Sequence, residues 1–151
     1  MRRERLAEHN PPMVGGASVT DFMNWTHIHF DLRPEVARYE LGVPNVVGHA
    51  GLKASIALLV GLGIANIDRW TVHLARVLMD DLTRRGYRLL TPHNDHGSIV
   101  TWETPKLEED LASLNAADIS VSERGGYIRA SVHCYNNIAE VLAVGETVGD
   151  V

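Results

Sequence analysis

Residues Ile119 to Asn137, ISVSERGGYIRASVHCYNN, constrain the fold more than any other stretch of the chain. Ile119 and Val121 alternate with Ser120 and Ser122. Glu123-Arg124-Gly125-Gly126 then supplies a turn, because paired glycines accept the positive φ angles of tight hairpins. In the second strand Ile128, Ala130 and Val132 share one face, while Tyr127, Arg129 and Ser131 share the other. With the apolar face on a core, Arg129 is presented away from it. A guanidinium on a rigid strand can grip a carboxylate through two parallel hydrogen bonds. The plainer alternative is a surface ion pair, worth only about 0–1 kcal/mol. Asn137, with Glu140 three residues on, reads as the cap of a last helix. That helix is expected to end near Val144, leaving 145–151 frayed.

Upstream, Pro11-Pro12 stops a short polar helix over 2–8 and Gly15-Gly16 continues an irregular segment. Residues 24–32 alternate loosely, with Trp25, His27 and His29 on one side and Thr26, Ile28 and Phe30 on the other. A His-x-His pair on a strand can offer two metal ligands, but no third lies close in sequence, so no metal is assigned. His93 and His96, in the loop 92–97, get the same reading. Asn45 is the expected cap of a helix over 46–62. That helix is apolar or small on nearly all sides and so reads as buried on more than one face. Gly61 and Gly63 are expected to end it.

A second helix follows, from Asn66 or Asp68 to Arg85. Trp70, Leu74, Val77, Leu78 and Leu82 form its buried stripe; Asp80, Asp81, Arg84 and Arg85 join its solvated faces, and Gly86 lies just beyond its end. Short strands over 87–91 and 98–103 precede a helix marked by Leu107, Leu111 and Leu114, with Glu108, Glu109 and Asp110 at its positive end. From 46 onward the order is ααββαββα. This predicts a two-layer α/β (α+β) domain: a small, mostly antiparallel sheet with helices packed on it. The expected division is an irregular N-terminal linker segment, 1–45, and a folded domain, 46–151.

The composition excludes several classes. The formal charge of −5 and the lack of a basic stripe argue against nucleic acid. No apolar run reaches the roughly 20 residues that span a bilayer, and no signal peptide is recognised. The single cysteine, Cys134, agrees with a reducing compartment. The expectation is a soluble, cytoplasmic protein. Cys134 itself reads as a small buried hydrophobe rather than a reactive thiol. Ser98, Ser120 and Ser122 have no nucleophile-elbow context.

Several motifs together resemble one family. RASVHCYNN at 129–137 is similar to the Arg-x-Ser-x-x-x-Tyr-Asn-Thr signature of class V aminotransferases, the pyridoxal-phosphate group that includes cysteine desulfurases. Arg38-Tyr-Glu-Leu-Gly-Val-Pro-Asn45 resembles the family's Arg-Phe-Glu-x-Gly-Thr-Pro-Asn segment. Val47-Gly-His-Ala-Gly-Leu52 fits the helix after it, and Pro11-Pro-Met-Val-Gly15 the segment before it. The resemblance covers about 6–142 and implies the C-terminal small domain of a fold-type I pyridoxal-phosphate enzyme. It implies that Arg129 holds a substrate α-carboxylate, and that Gly42 and Val43 lie near a cofactor phosphate. Val43 stands where the family has a threonine, so that hydroxyl is lost. It also places helix 46–62 at a domain and subunit interface, so a homo-oligomer, a dimer, is expected.

The resemblance puts the Schiff-base lysine upstream of the matching stretch. The chain has only Lys53 and Lys106, and neither lies in the lysine-bearing segment. No cysteine precedes the arginine motif where the desulfurases carry theirs. No catalytic residue is assigned, and no cofactor is expected for the chain alone; pyridoxal phosphate is expected only with a complementing large domain. Three functions stay open: a stand-alone, non-catalytic oligomerisation or small-carboxylate-binding module; one half of a split enzyme that needs a lysine-bearing large-domain chain; and a decayed fragment.

Overall fold

Gly125 and Gly126 lie at φ 61° and 87°, the doubly positive geometry of a two-residue hairpin turn. They fold the chain back between Arg124 and Tyr127. The computed structural model that shows this hairpin describes residues 3–24, 26, 27 and 29–151, and the side chains of all of these but Arg3, Glu4 and Ala7. Its elements run α1 (Val46–Leu62), α2 (Ile64–Arg84), β1 (Arg88–Leu89), β2 (Ile99–Glu103), α3 (Leu107–Ala116), β3 (Ser122–Arg124), β4 (Tyr127–Ser131) and α4 (Ile138–Val148). The strands form one sheet in the order β1-β2-β4-β3, antiparallel throughout. This is the α/β class and element order expected from the sequence. The chain separates into two units, 1–55 and 56–151.

In the second unit the strands alternate as pleated strands must. Val100, Trp102, Ile128 and Ala130 point to one face and are buried against Leu74, Leu78 and Leu82 of α2, Leu114 of α3 and Val141, Val144 and Val148 of α4. β3 is shorter than expected. Asp118 takes φ 58°, and Ile119 N–H donates to Leu114 O at 2.9 Å, so Ile119 and Val121 wrap off the end of α3 before the ladder begins. Both still pack on the core.

α2 starts at Ile64, earlier than expected. Only Gly63, at φ 87°, breaks the chain there; Gly61 stays helical. The C-terminal end of α2 closes with Gly86 at φ 92°, where Tyr87 N–H donates to Leu82 O at 3.0 Å and Gly86 N–H to Thr83 O at 3.1 Å. That is the paired bonding of a glycine-terminated helix. Tyr87 is buried, its hydroxyl donates to Val148 O at 3.1 Å, and burial raises its phenol above the usual range.

Asp81, assigned to a solvated face, is buried instead, and Asp110 at the start of α3 is buried too. Asp81 is 3% exposed and accepts from Arg84 Nη2 and Arg85 Nε, each at 2.8 Å; the bond to Asp81 pushes the Arg85 guanidinium up. Asp110 accepts from the buried Thr104 hydroxyl. The C-terminal tail is not frayed as expected. α4 runs past Val144 to Val148, with Gly145 buried inside it, and Val151 N–H donates to Arg85 O at 3.1 Å. Gly145 is what lets α4 continue, because it passes directly over the Asp81–Arg85 pair.

α1 occupies the expected residues, and Asn45 caps it by accepting from Gly48 N–H at 2.9 Å. Its burial does not follow expectation. No residue of α1 is buried, and Val47 is 84% and Leu58 64% exposed. The all-round apolar sequence calls for a cover that these residues do not supply. Among the described residues no single helix is long and apolar enough to cross a membrane.

In the first unit Arg38 ties the backbone together, donating to Arg33 O at 2.7 Å and Leu6 O at 3.2 Å. Buried Ser18 donates to Glu40 O at 2.8 Å and accepts from Gly15 N–H at 3.0 Å. Gly15 lies so close to the Leu41 carbonyl that any side chain there would overlap it. The strand expected over 24–32 is not formed among the described residues. Trp25 and Ile28 lie outside them, and among the described residues Leu32 pairs as a single bridge with Val19. Asn24 captures the chain instead: its Oδ1 accepts from Thr26 Oγ1 at 2.8 Å, and its N–H donates to Asp21 O at 2.9 Å. Such local bonds compete with an extended ladder. The His27 and His29 rings lie 5.8 Å apart.

Candidate functional site

Arg129 sits in the middle of β4, opposite Thr101 on β2 and Ser122 on β3. Directly opposed residues in an antiparallel ladder share a face. Thr101, Arg129 and Ser122 therefore form one row across three strands, on the face turned away from the helices. All three are half-buried. The Arg129 Nε is buried and has no hydrogen-bond partner. Every other sheet arginine is engaged: Arg88 Nη1 meets Glu103 Oε2 at 2.7 Å, and Arg124 Nη1 donates to Glu123 O at 3.1 Å. The surface ion pair weighed as the plainer role of Arg129 does not form among the described residues.

The rest of the motif is structural. His133 N–H donates to Asn136 Oδ1 at 2.9 Å, and Trp70 Nε1 donates to Asn136 O at 3.1 Å, pinning the segment to α2. Asn137 Oδ1 accepts from Glu140 N–H at 3.0 Å while Glu140 Oε2 accepts from Asn137 N–H at 3.1 Å, closing the reciprocal cap expected from the sequence. Asn136 Nδ2 also donates to Glu140 Oε2 at 3.1 Å, and that bond first, then the one from Asn137 N–H, holds the Glu140 carboxyl below its usual range. A depressed folded pKa means the contribution is present above the unfolded value, about 4.3, and is lost as pH falls through the folded one. The Asn137 amide resonance is expected to shift with that titration, and Glu140→Gln to flatten the pH dependence while keeping an acceptor for the cap.

Half-buried Cys134 has its Sγ 3.3 Å from His133 Nδ1. On the helix side of β4 a cleft of about 580 Å³ opens between 117–121 and α4, lined by Ala130, Val132, Val141 and Val144 among others. Arg129 does not line it, and Glu140 at its rim is committed to the cap.

Gly42 and Val43 belong to the first unit. Val43 is 93% exposed and offers no hydroxyl, and nothing lies within 4 Å of where a Cβ would stand on Gly42. Lys53 is exposed midway along α1, and Lys106 stands at the N-terminus of α3. Among the described residues these do not fit pyridoxal phosphate, the cofactor that the resemblance implies: nothing stands within 4 Å of a Cβ position on Gly42, Val43 brings no hydroxyl, and the resemblance assigns neither lysine to the anchoring segment. Among the described residues no group of histidine, cysteine and acidic side chains is placed to hold a metal. The sequence singled out Arg129. It gave no reason to notice Thr101 beside it, because only the strand register joins them.

The architecture, a small antiparallel sheet backed by helices with an unpaired arginine on its open face, is that of an aminotransferase-type small domain. The family model for Aminotransferase class-V matches residues 1–144, and the chain belongs to that family. It is similar to a probable cysteine desulfurase of Pyrococcus abyssi, 28% identical over 93% of this chain and 39% of that protein. It is 26% identical to the cysteine desulfurase CsdA of Escherichia coli, over 97% of this chain and 34% of CsdA. The apo structure of cysteine desulfurase from Thermococcus onnurineus superposes with a TM-score of 0.84 at 25% identity, over 97% of this chain and 40% of that one. The chain thus spans about a third to two fifths of the length of the relatives it matches.

Proposed function

We propose that these residues act as a small-carboxylate-binding and oligomerisation module of the class V aminotransferase type, with Arg129 as the gripping residue and α1 as the surface that joins two copies. The working domain is 46–151, with 1–45 as an irregular approach to it. The observation that carries this reading is the Nε of half-buried Arg129, enclosed on a central strand with no acceptor among the described residues. A buried donor left without a partner is costly, and a bound carboxylate would satisfy it. Arg129 is the substrate-binding residue by resemblance; Gly42 and Val43 keep at most backbone contacts to a phosphate. On their own these residues run no transamination or desulfuration, since neither Lys53 nor Lys106 stands in the cofactor-anchoring segment.

A second reading is favoured by the span of the matches, about a third to two fifths of these relatives. In it a lysine-bearing large-domain chain supplies pyridoxal phosphate, and the two together form the enzyme.

The carboxylate reading is tested by titrating the chain with pyruvate and L-alanine. Charge-assisted hydrogen bonds contribute about 1.5–3 kcal/mol, so Arg129→Ala is expected to weaken binding by about tenfold or more. Equal affinity in the variant would remove Arg129 from the site.

A further inference from the structure

We infer that Thr101 and Ser122 complete the Arg129 site, so that a planar monocarboxylate is held by a hydroxyl–guanidinium–hydroxyl row spanning β2, β4 and β3. This rests on the carboxylate reading of Arg129 and adds two binding residues that the family motif does not contain. Three observations carry it.

The first is register. Arg129 faces Thr101 on one side and Ser122 on the other, and directly opposed side chains stand about 4.5–5.5 Å apart at Cβ. The second is availability. The Thr101 backbone is engaged, its N–H accepted by Thr91 Oγ1 at 3.0 Å, but neither the Thr101 nor the Ser122 hydroxyl bonds to any described residue, and the Arg129 Nε is likewise unpartnered. Three half-buried residues stand side by side in the ladder, each with a donor that no described residue engages. The third is charge. Glu103 lies two residues along β2 from Thr101, on the same face, and is held by Arg88, so it leaves the Arg129 charge to a ligand.

The stoichiometry suits a carboxylate. Its two oxygens offer about four lone-pair positions. The planar fork of Arg129 takes one on each oxygen. That leaves positions open to a hydroxyl donor from the same row. One guanidinium balances one negative charge, whereas the dianion of inorganic phosphate would leave a second charge desolvated and unpaired.

The test is a pyruvate titration of the full chain, read from the Arg129 Nε–H resonance and from the backbone amides of β2, β3 and β4. Thr101→Val keeps the branched shape of a strand residue and removes the hydroxyl, and Ser122→Ala does the same at the edge. Each is expected to weaken pyruvate binding about tenfold or more, as the loss of one hydrogen bond to a charged group implies. Thr101→Ser is expected to bind like the unaltered chain, which separates the hydroxyl from packing, and Val100 and Ile128 amide shifts report whether the sheet is intact. If both Thr101→Val and Ser122→Ala bind pyruvate unchanged while Arg129→Ala does not bind it, the row is overturned and the Arg129 reading stands. If Arg129→Ala binds as well as the unaltered chain, or the unaltered chain gives no response, the reading beneath it falls too. Inorganic phosphate binding as tightly as pyruvate overturns the assignment to a monocarboxylate.

Discussion

Gly145→Ala is expected to destabilise the second unit by about 3 kcal/mol, measured as a lower urea midpoint at unchanged slope. From sequence the same substitution ought to help. An interior helical glycine costs about 1 kcal/mol relative to alanine, and Gly145 lies inside α4. The structure reverses the sign. A Cβ on Gly145 would overlap the Asp81 Oδ2 and come within 2.7 Å of Arg85 Nε. Asp81 has little freedom to retreat, since both its oxygens are held by arginines at 2.8 Å and it is 3% exposed. Relief requires either separating α4 from α2 or parting the buried pair, and a buried charge left alone is expensive. Asp81→Ala in the Gly145→Ala background is expected to recover part of the loss, because the two changes share one contact. A Gly145→Ala chain as stable as the original, or more so, would show that the helices slide apart freely there.

That glycine also marks where sequence reasoning reached its limit. The alternation over 127–131, the Asn137 cap and the glycine end of α2 are local, and local chemistry is legible: each depends on residues within a few positions of one another. The helix end at Val144 and the solvated place given to Asp81 both failed for one reason. Whether Gly145 breaks a helix or admits a neighbour depends on what crosses it, and Asp81 lies 64 positions away. The row beside Arg129 was hidden in the same way, since Thr101 and Ser122 meet it only through strand pairing. At 24–32 the alternation was real in the sequence, but Asn24 offered the backbone nearer partners than a ladder would. The resemblance pointed to the arginine; the register identifies what stands beside it.

Ile56→Glu is expected to turn an associating chain into a monomer, with the dissociation constant raised about a hundredfold or more in sedimentation equilibrium. Leu52, Ile56 and Val60 recur at four-residue spacing and so share one face of α1, and they are 57%, 51% and 62% exposed. Val47 and Leu58, at 84% and 64%, extend the apolar surface to another face. Burying one such side chain contributes about 1.5–3 kcal/mol, and a carboxylate in its place must be desolvated as well. A loss near 2.8 kcal/mol corresponds to a hundredfold in affinity. Surface substitutions away from special features typically change stability by less than about 0.5 kcal/mol. Because no residue of α1 is buried within the chain, Ile56→Glu is expected to leave the urea midpoint of the isolated chain nearly unchanged. That separation of effects distinguishes an interface residue from a core residue. It also chooses between the two functional readings. A self-associating chain that Ile56→Glu dissociates supports the homo-oligomeric module. A chain already monomeric at high concentration, whose α1 amides gain protection only when a lysine-bearing large-domain chain is added, supports the divided enzyme. A monomer whose α1 no partner covers defeats both.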